Sequence, residues 1–190
     1  MTIHSEREPR DATALVGKTP VAWTTARDRL ADPEPESTHW LATAQSDGRP
    51  HLVPLIGIWR DDAFYFVAGA GTRKARNLAA DARCAIGTST TTNPSLDVIL
   101  EGVATAVTDP ADLRRLGELY ASALNWPLQV RDDGLHGPNA PTAGPPPYTL
   151  FRVTPITAFG LPGVAGMSEV DPDERHTPTR WRFDNNTSEQ

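Results

Sequence analysis

Apolar and polar positions along the chain fall into short runs separated by turn residues, and six of the runs read as strands: 39–44, 51–59, 63–68, 82–88, 97–108 and 148–159. The third, Ala63-Phe64-Tyr65-Phe66-Val67-Ala68, is aromatic and β-branched. In the fifth, Val98 and Leu100 alternate with Ile99 and Val103, and Gly102 marks a bulge or a bend. Asp47-Gly48 suits a hairpin turn between the first two strands, and Arg60-Asp61-Asp62 turns the second into the third. Helical spacing appears in three places. Val21, Ala22, Ala26 and Leu30 lie on or near one face of a short helix over 21–30. A second helix follows Thr72, with Ala75, Leu78 and Ala79 at its apolar spacing. A third starts at the cap Asp109 with Pro110 in its first position, and Leu113, Leu116, Leu119, Tyr120 and Leu124 form its face. The pattern predicts a mainly β domain with flanking helices, one of them between strands five and six. It divides the chain into an N-terminal extension (1–36), a strand-rich domain (37–160) and a C-terminal tail (161–190). The tail is polar except for Trp181-Arg182-Phe183. Residues 131–147 have no periodicity and form a long loop, either mobile or functional.

The most informative chemistry lies where the third strand gives way to the second helix. Thr72 is placed to cap that helix, and Arg73, Lys74 and Arg76 bring three cations into its first turn. Cations there oppose the helix dipole, which favours negative charge at an N-terminus. Free backbone N–H groups, a hydroxyl and several cations together describe a phosphate site; the alternative is a short basic surface helix. The local charge stands against an acidic whole, 18 Lys and Arg against 24 Asp and Glu, which argues against nucleic acid as a partner. The 190 residues suffice for one domain with a core. Eighteen prolines and 14 glycines assign much of the chain to loops and tails.

Other chemistries find no pattern here. Cys84 is the only cysteine, inside an apolar run, and reads as a small buried residue. The five histidines lack metal-ligand spacing, so no metal is expected. No serine sits in a nucleophile elbow, and Gly69-Ala70-Gly71 is followed by neither P-loop nor dinucleotide spacing. The N-terminus lacks an apolar signal core, and no run approaches the roughly 20 apolar residues of a membrane span. A soluble, cytoplasmic protein without membrane partners is expected.

The order strand, small residues, Gly71-Thr72-Arg73-Lys74-Ala75, helix resembles the flavin-phosphate segment of the pyridoxamine 5′-phosphate oxidase family, the FMN-binding split β-barrels. The resemblance runs over roughly residues 38–159. It takes in the Trp40-Leu41-Ala42-Thr43 strand, the Asp-Gly turn, the second strand with Pro54, the aromatic third strand and the basic helix. It implies a six-stranded split β-barrel that binds FMN, works as a homodimer sharing the site between subunits, and transfers electrons to or from a small organic substrate. Val53, Pro54, Leu55 and Ile56, with Val67 and Ala68, fall where relatives contact flavin. Thr72, Arg73 and Lys74 fall on the phosphate positions. Asn77 either bonds the cofactor or faces solvent. Trp181 and Arg182 correspond to a C-terminal pair that closes over the cofactor in relatives, or else they pin a tail strand. No dedicated catalytic side chain is implied, since the cofactor carries the electron transfer.

The biosynthetic oxidase's C-terminal set of Arg, His and Ser residues has no counterpart after Phe159, so the vitamin substrate itself is not expected. The fold also houses enzymes of a 5-deazaflavin coenzyme, whose basic helix resembles Lys74-Ala75-Arg76-Asn77-Leu78. That coenzyme has a longer anionic tail, which Arg76 would suit. The Thr72-Arg73-Lys74 order favours FMN and the Lys74-to-Leu78 run favours deazaflavin. A non-catalytic flavin or haem binder is the further alternative.

Overall fold

In a computed structural model, residues 7–17, 19–32, 38–90, 93–163, 171 and 174–184 are described. In chain order the elements are β1 (Asp11–Ala14), α1 (Trp23–Ala31), β2 (His39–Ala44), β3 (Pro50–Leu55), β4 (Gly57–Arg60), β5 (Ala63–Gly69), α2 (Arg73–Ala80), β6 (Arg83–Thr88), β7 (Asp97–Ala106), α3 (Pro110–Leu124), β8 (Gln129–Arg131), β9 (Gly134–His136), β10 (Tyr148–Leu161) and β11 (Thr179–Arg182). The main hydrogen-bonded path is β1-β11-β10-β7-β6-β2-β3, and β5 joins it through β10. All of these pairings are antiparallel.

The long strand β10 splits the barrel. One of its edges is occupied by β7; the other is shared, with β5 on residues 148–153 and β11 on residues 157–160. The strand changes register between those two stretches. Ile156 is bulged out, and Pro155 and Thr157 pair with Gly102 and Glu101. The irregularity expected at Gly102 therefore falls on its partner strand. Gly102 serves close approach: a Cβ there would lie 2.3 Å from the Thr154 carbonyl oxygen. The path is open, with β3 at its edge, and the chain itself carries β3 on into β4. The split barrel with its flanking helices is thus the observed fold, and α3 stands between β7 and β10 as expected.

All six expected strands are present, but the second breaks at Ile56. Its first half pairs with β2 and its second half with β5. Gly57, just past the break, lets the Phe64 ring come close: a Cβ there would lie 2.3 Å from it. Four short strands lie outside the expected six. β8 and β9 form a hairpin that runs into the start of the predicted loop, with Gly134 at φ of +133°. β1 and β11 pair with each other, so the chain's two outer segments meet on the flank of β10.

Alternation on β5 builds two cores. Phe64 and Phe66 point into the barrel with Leu41, Ile86, Leu100 and Val153. Tyr65 and Val67 point outward under α3, against Leu116, Tyr120, Trp126 and Leu150. The Asp109 carboxylate caps α3 by accepting from the Ala111 and Asp112 N–H groups, both at 2.9 Å. The Tyr120 hydroxyl donates to the Tyr65 carbonyl at 2.9 Å. α1 closes the barrel end with Trp23, Ala26 and Leu30.

Two expectations follow from this packing. His39 is buried edge-on to Phe64, with ring centroids 4.9 Å apart, and its Nδ1 has no hydrogen-bond partner among the described residues. Burial pushes its pKa down from 6.5 to about 4. The unfolded chain therefore takes up a proton below pH 6.5 that the folded one refuses until about pH 4. Stability is lost across that window, by about 3 kcal/mol at roughly 1.4 kcal/mol per unit. Denaturant unfolding at pH 7 and pH 4.5 should show a smaller acid loss in His39→Leu than in the parent; an equal loss excludes His39 as its source. Trp181 is fully buried against Trp23, and its Nε1 donates to the Val21 carbonyl at 3.0 Å. Trp181→Ala should cost about 3–5 kcal/mol of unfolding free energy, a loss that a ring merely resting on the surface would not produce.

Candidate functional site

β5 ends at Gly69, and the chain turns through Ala70 and Gly71 into α2. The Thr72 hydroxyl donates to the Gly69 carbonyl at 2.8 Å and accepts from the Ala75 N–H at 3.3 Å, so the expected cap is formed. No acidic residue occupies the first turn. Its three cations diverge. Arg73 donates from Nη1 to Gln45 Oε1 at 2.9 Å, on the surface. Arg76 donates from Nη1 back to the Gly71 carbonyl at 2.5 Å. Lys74 runs the other way, is only 3% exposed, and donates from Nζ to the Thr142 carbonyl. Burial lowers its pKa. No second partner accompanies that carbonyl among the described residues, so a nearly enclosed ammonium with three donors faces one neutral acceptor.

Asn77 is buried rather than facing solvent. Its Nδ2 donates to Thr43 Oγ1 at 2.9 Å. Thr43 in turn lies 3.5 Å from His51 Nδ1, its cross-strand partner on β3. His51 is not among the predicted site residues, although Val53 to Ile56 on the same strand are. Its pKa is lowered first by burial and then by the charges of Arg73 and Lys74. It belongs to the same polar cluster. Its inward phase with Val53 and Leu55 was the available signal.

On the outer side of α2 a groove of about 460 Å³ runs between the helix and the β2–β3 turn, lined by Gln45, Ser46, Arg49, Arg73, Arg76 and Asn77. Arg49 reaches it while bound to Asp47 at 2.7 Å. Three guanidinium groups on one groove make an anion-attracting surface.

The residues predicted against the flavin ring lie on β3, in the break before β4 and at the end of β5. Pro54 sits on β3 at the end of the hydrogen-bonded path, opposite Trp40, and proline is tolerated on such an edge strand. Val53 is half-buried, Leu55 is buried, and Ile56 is exposed in the break before β4. Val67 and Ala68 are buried on β5. There β4 no longer pairs, its last partner being Phe66, and only β10 holds the backbone. Continuing the register brings Ile56 alongside Val67.

Trp181 and Arg182 stand elsewhere. Trp181 belongs to the barrel core with Trp23 and Phe183, and Arg182 lies 4.0 Å from Asp11. Neither shares a hydrogen bond or ion pair with the α2 cluster among the described residues. Cys84 is buried, and its thiol is pushed up to about 12, which leaves it inert as a nucleophile. No group of three or more His, Cys, Asp or Glu side chains able to hold a metal occurs among the described residues, and none of their helices is long and apolar enough to cross a membrane.

Comparison with known proteins fits this geometry. The sequence profile of pyridoxamine 5′-phosphate oxidase matches residues 28–160. No curated protein matches the chain. Among solved structures, similarity extends to general stress protein 26 of Bacillus anthracis, with 14% identity, 73% of this chain and 93% of that chain covered, and a TM-score of 0.52. It extends to a FAD-binding protein of Mesorhizobium loti, with 18% identity, coverage of 78% and 96%, and a TM-score of 0.53. A haem-binding protein of Mycobacterium smegmatis has 18% identity, coverage of 73% and 53%, and a TM-score of 0.51. These likenesses concern the fold. The profile covers more than half of the chain and includes the basic helix, and on that ground the chain belongs to the pyridoxamine 5′-phosphate oxidase family.

Proposed function

We propose that this chain holds a phosphate-bearing flavin coenzyme, FMN in the leading reading, and acts as an oxidoreductase on a small organic molecule. The observation that supports it most is Lys74. A cation that is 3% exposed, with one neutral acceptor, is poorly compensated, and an anion beside it removes the deficit. The capped N-terminus of α2 adds N–H groups, and Arg73, directed outward to Gln45, adds positive charge from the other side of the same turn. The donor set therefore fits a phosphate. We assign the ring to the break in the sheet beside Val53 to Ile56 and the end of β5 at Val67 and Ala68, with Val67 itself packed under α3. Bound there, the coenzyme supplies the electron transfer. The chain's own part is to bind the anion through Thr72, Arg73 and Lys74 and to exclude water with the apolar side chains at the break. The Asn77–Thr43–His51 cluster keeps α2 fixed against β2 and β3.

The β2–β3 surface beside this break exposes Trp40, Leu52 and Ile56, Leu52 to 61%. We assign it to a second copy of the chain, in a homodimer that covers the site from outside. Trp181, enclosed in the core, is assigned to packing.

One observation favours the deazaflavin alternative. The groove of Arg49, Arg73 and Arg76 continues the positive charge past the first turn of α2, giving a longer anionic tail somewhere to lie.

The absorbance spectrum of purified protein, with mass analysis of whatever denaturation releases, separates FMN, a deazaflavin coenzyme and haem. FMN is the expected result, and haem sinks the proposal. Replacing Arg73 and Lys74 together by Ala should weaken coenzyme binding by about 3–6 kcal/mol, since each loses a charge-assisted contact. Equilibrium dialysis measures it, and unchanged affinity removes the phosphate assignment.

A further inference from the structure

Residues 138–147 lie across the mouth of α2. At the root of this segment the Pro138 carbonyl accepts from Trp126 Nε1 at 2.9 Å, and the Tyr148 hydroxyl stands 3.0 Å from the carbonyls of both Pro138 and Gly144. At the tip, the Gly69 N–H donates to the Ala143 carbonyl at 2.8 Å, and Lys74 donates to the Thr142 carbonyl. The backbones approach closely enough to demand glycine. A Cβ on Gly69 would lie 2.4 Å from the Pro145 carbonyl, and one on Gly144, whose φ is +75°, would lie 2.9 Å from the Thr72 methyl. Of the two hydrogen bonds that hold the tip, one belongs to the residue that the coenzyme reading places on the phosphate.

We infer that 138–147 is a strap over the coenzyme site, that Lys74 is its lock, and that the coenzyme's anion sets the lock. This rests on the reading given above. An ammonium offers three N–H groups, and the Thr142 carbonyl takes one, so an anion at the head of α2 shares the cation with the strap. The anion gives the ammonium a second partner where the carbonyl alone compensates it poorly, and so holds the Lys74 side chain in the position from which it grips Thr142. Coupling of this kind is reciprocal: whatever factor the coenzyme adds to strap closure, closure adds to coenzyme affinity. Arg73 and Arg76, directed to Gln45 and Gly71, take no part in the grip.

Amide hydrogen exchange on the full chain tests this. Peptides spanning 138–147 are followed without coenzyme and at saturation with FMN, or with the 5-deazaflavin coenzyme if that is what binds, and binding is read separately by dialysis. In the parent protein saturation should slow exchange in the strap at least tenfold. Arg73→Gln should bind more weakly yet show the same slowing once saturated. Lys74→Met should exchange faster in the strap without coenzyme and show no slowing with it. Bound coenzyme with unchanged strap exchange overturns the lock and leaves the coenzyme reading standing; so does slowing in Lys74→Met equal to the parent's. Absence of any binding in the parent protein takes down both. If Lys74→Met does not fold, the parent's own comparison decides.

Discussion

A strand that must serve two partners along one edge sets the shape of this protein. β10 carries β7 on one side for most of its length, while β5 and β11 divide the other. A regular strand would keep one direction and one register throughout. The bulge at Ile156 changes both, and its carbonyl accepts from the Phe183 N–H at 2.9 Å, tying in the strand that uses the far half. Gly102 makes room on the opposite side. β5 ends at Gly69, opposite Tyr148 where β10 begins, and the chain passes from there into α2.

The site follows from that passage. Thr72 converts the end of a strand into the start of a helix within three residues, so the cations of the first turn arrive already clustered. Packing then sorts them. Lys74 turns inward beneath 138–147, Arg73 and Arg76 turn outward to the groove, and Asn77 ties the helix to β2 through Thr43. Desolvation raises the cost of the inward charge and makes that position the most sensitive to an anion. An exposed lysine in the same sequence would have been a weak, screened attraction.

Much of this was readable along the chain. The apolar runs carried β2, β5, β6, β7 and β10 nearly to their ends, and Asp109-Pro110 announced α3. The Thr-Arg-Lys order located α2 and its cap. The break at Ile56 was not readable, since residues 51–59 look like one strand and the change of partner from β2 to β5 is a matter of tertiary pairing. β1 and β11 were hidden because four-residue strands carry little periodicity and only their mutual pairing defines them. His51 entered the cluster across a β-ladder, and Arg49 across a turn, through contacts that linear spacing does not reveal.

What the sequence determined by itself is local: where chain direction changes, which face of each element is apolar, and that three cations crowd one helical turn. Those properties depend on neighbours a few residues away, whose geometry the backbone enforces. Tertiary structure alone decided which of the cations is buried, which carbonyl it meets, and that a segment some seventy residues downstream covers it. Burial and electrostatic compensation are properties of the space around a group, and that space is filled here by β5, α2 and 138–147 together.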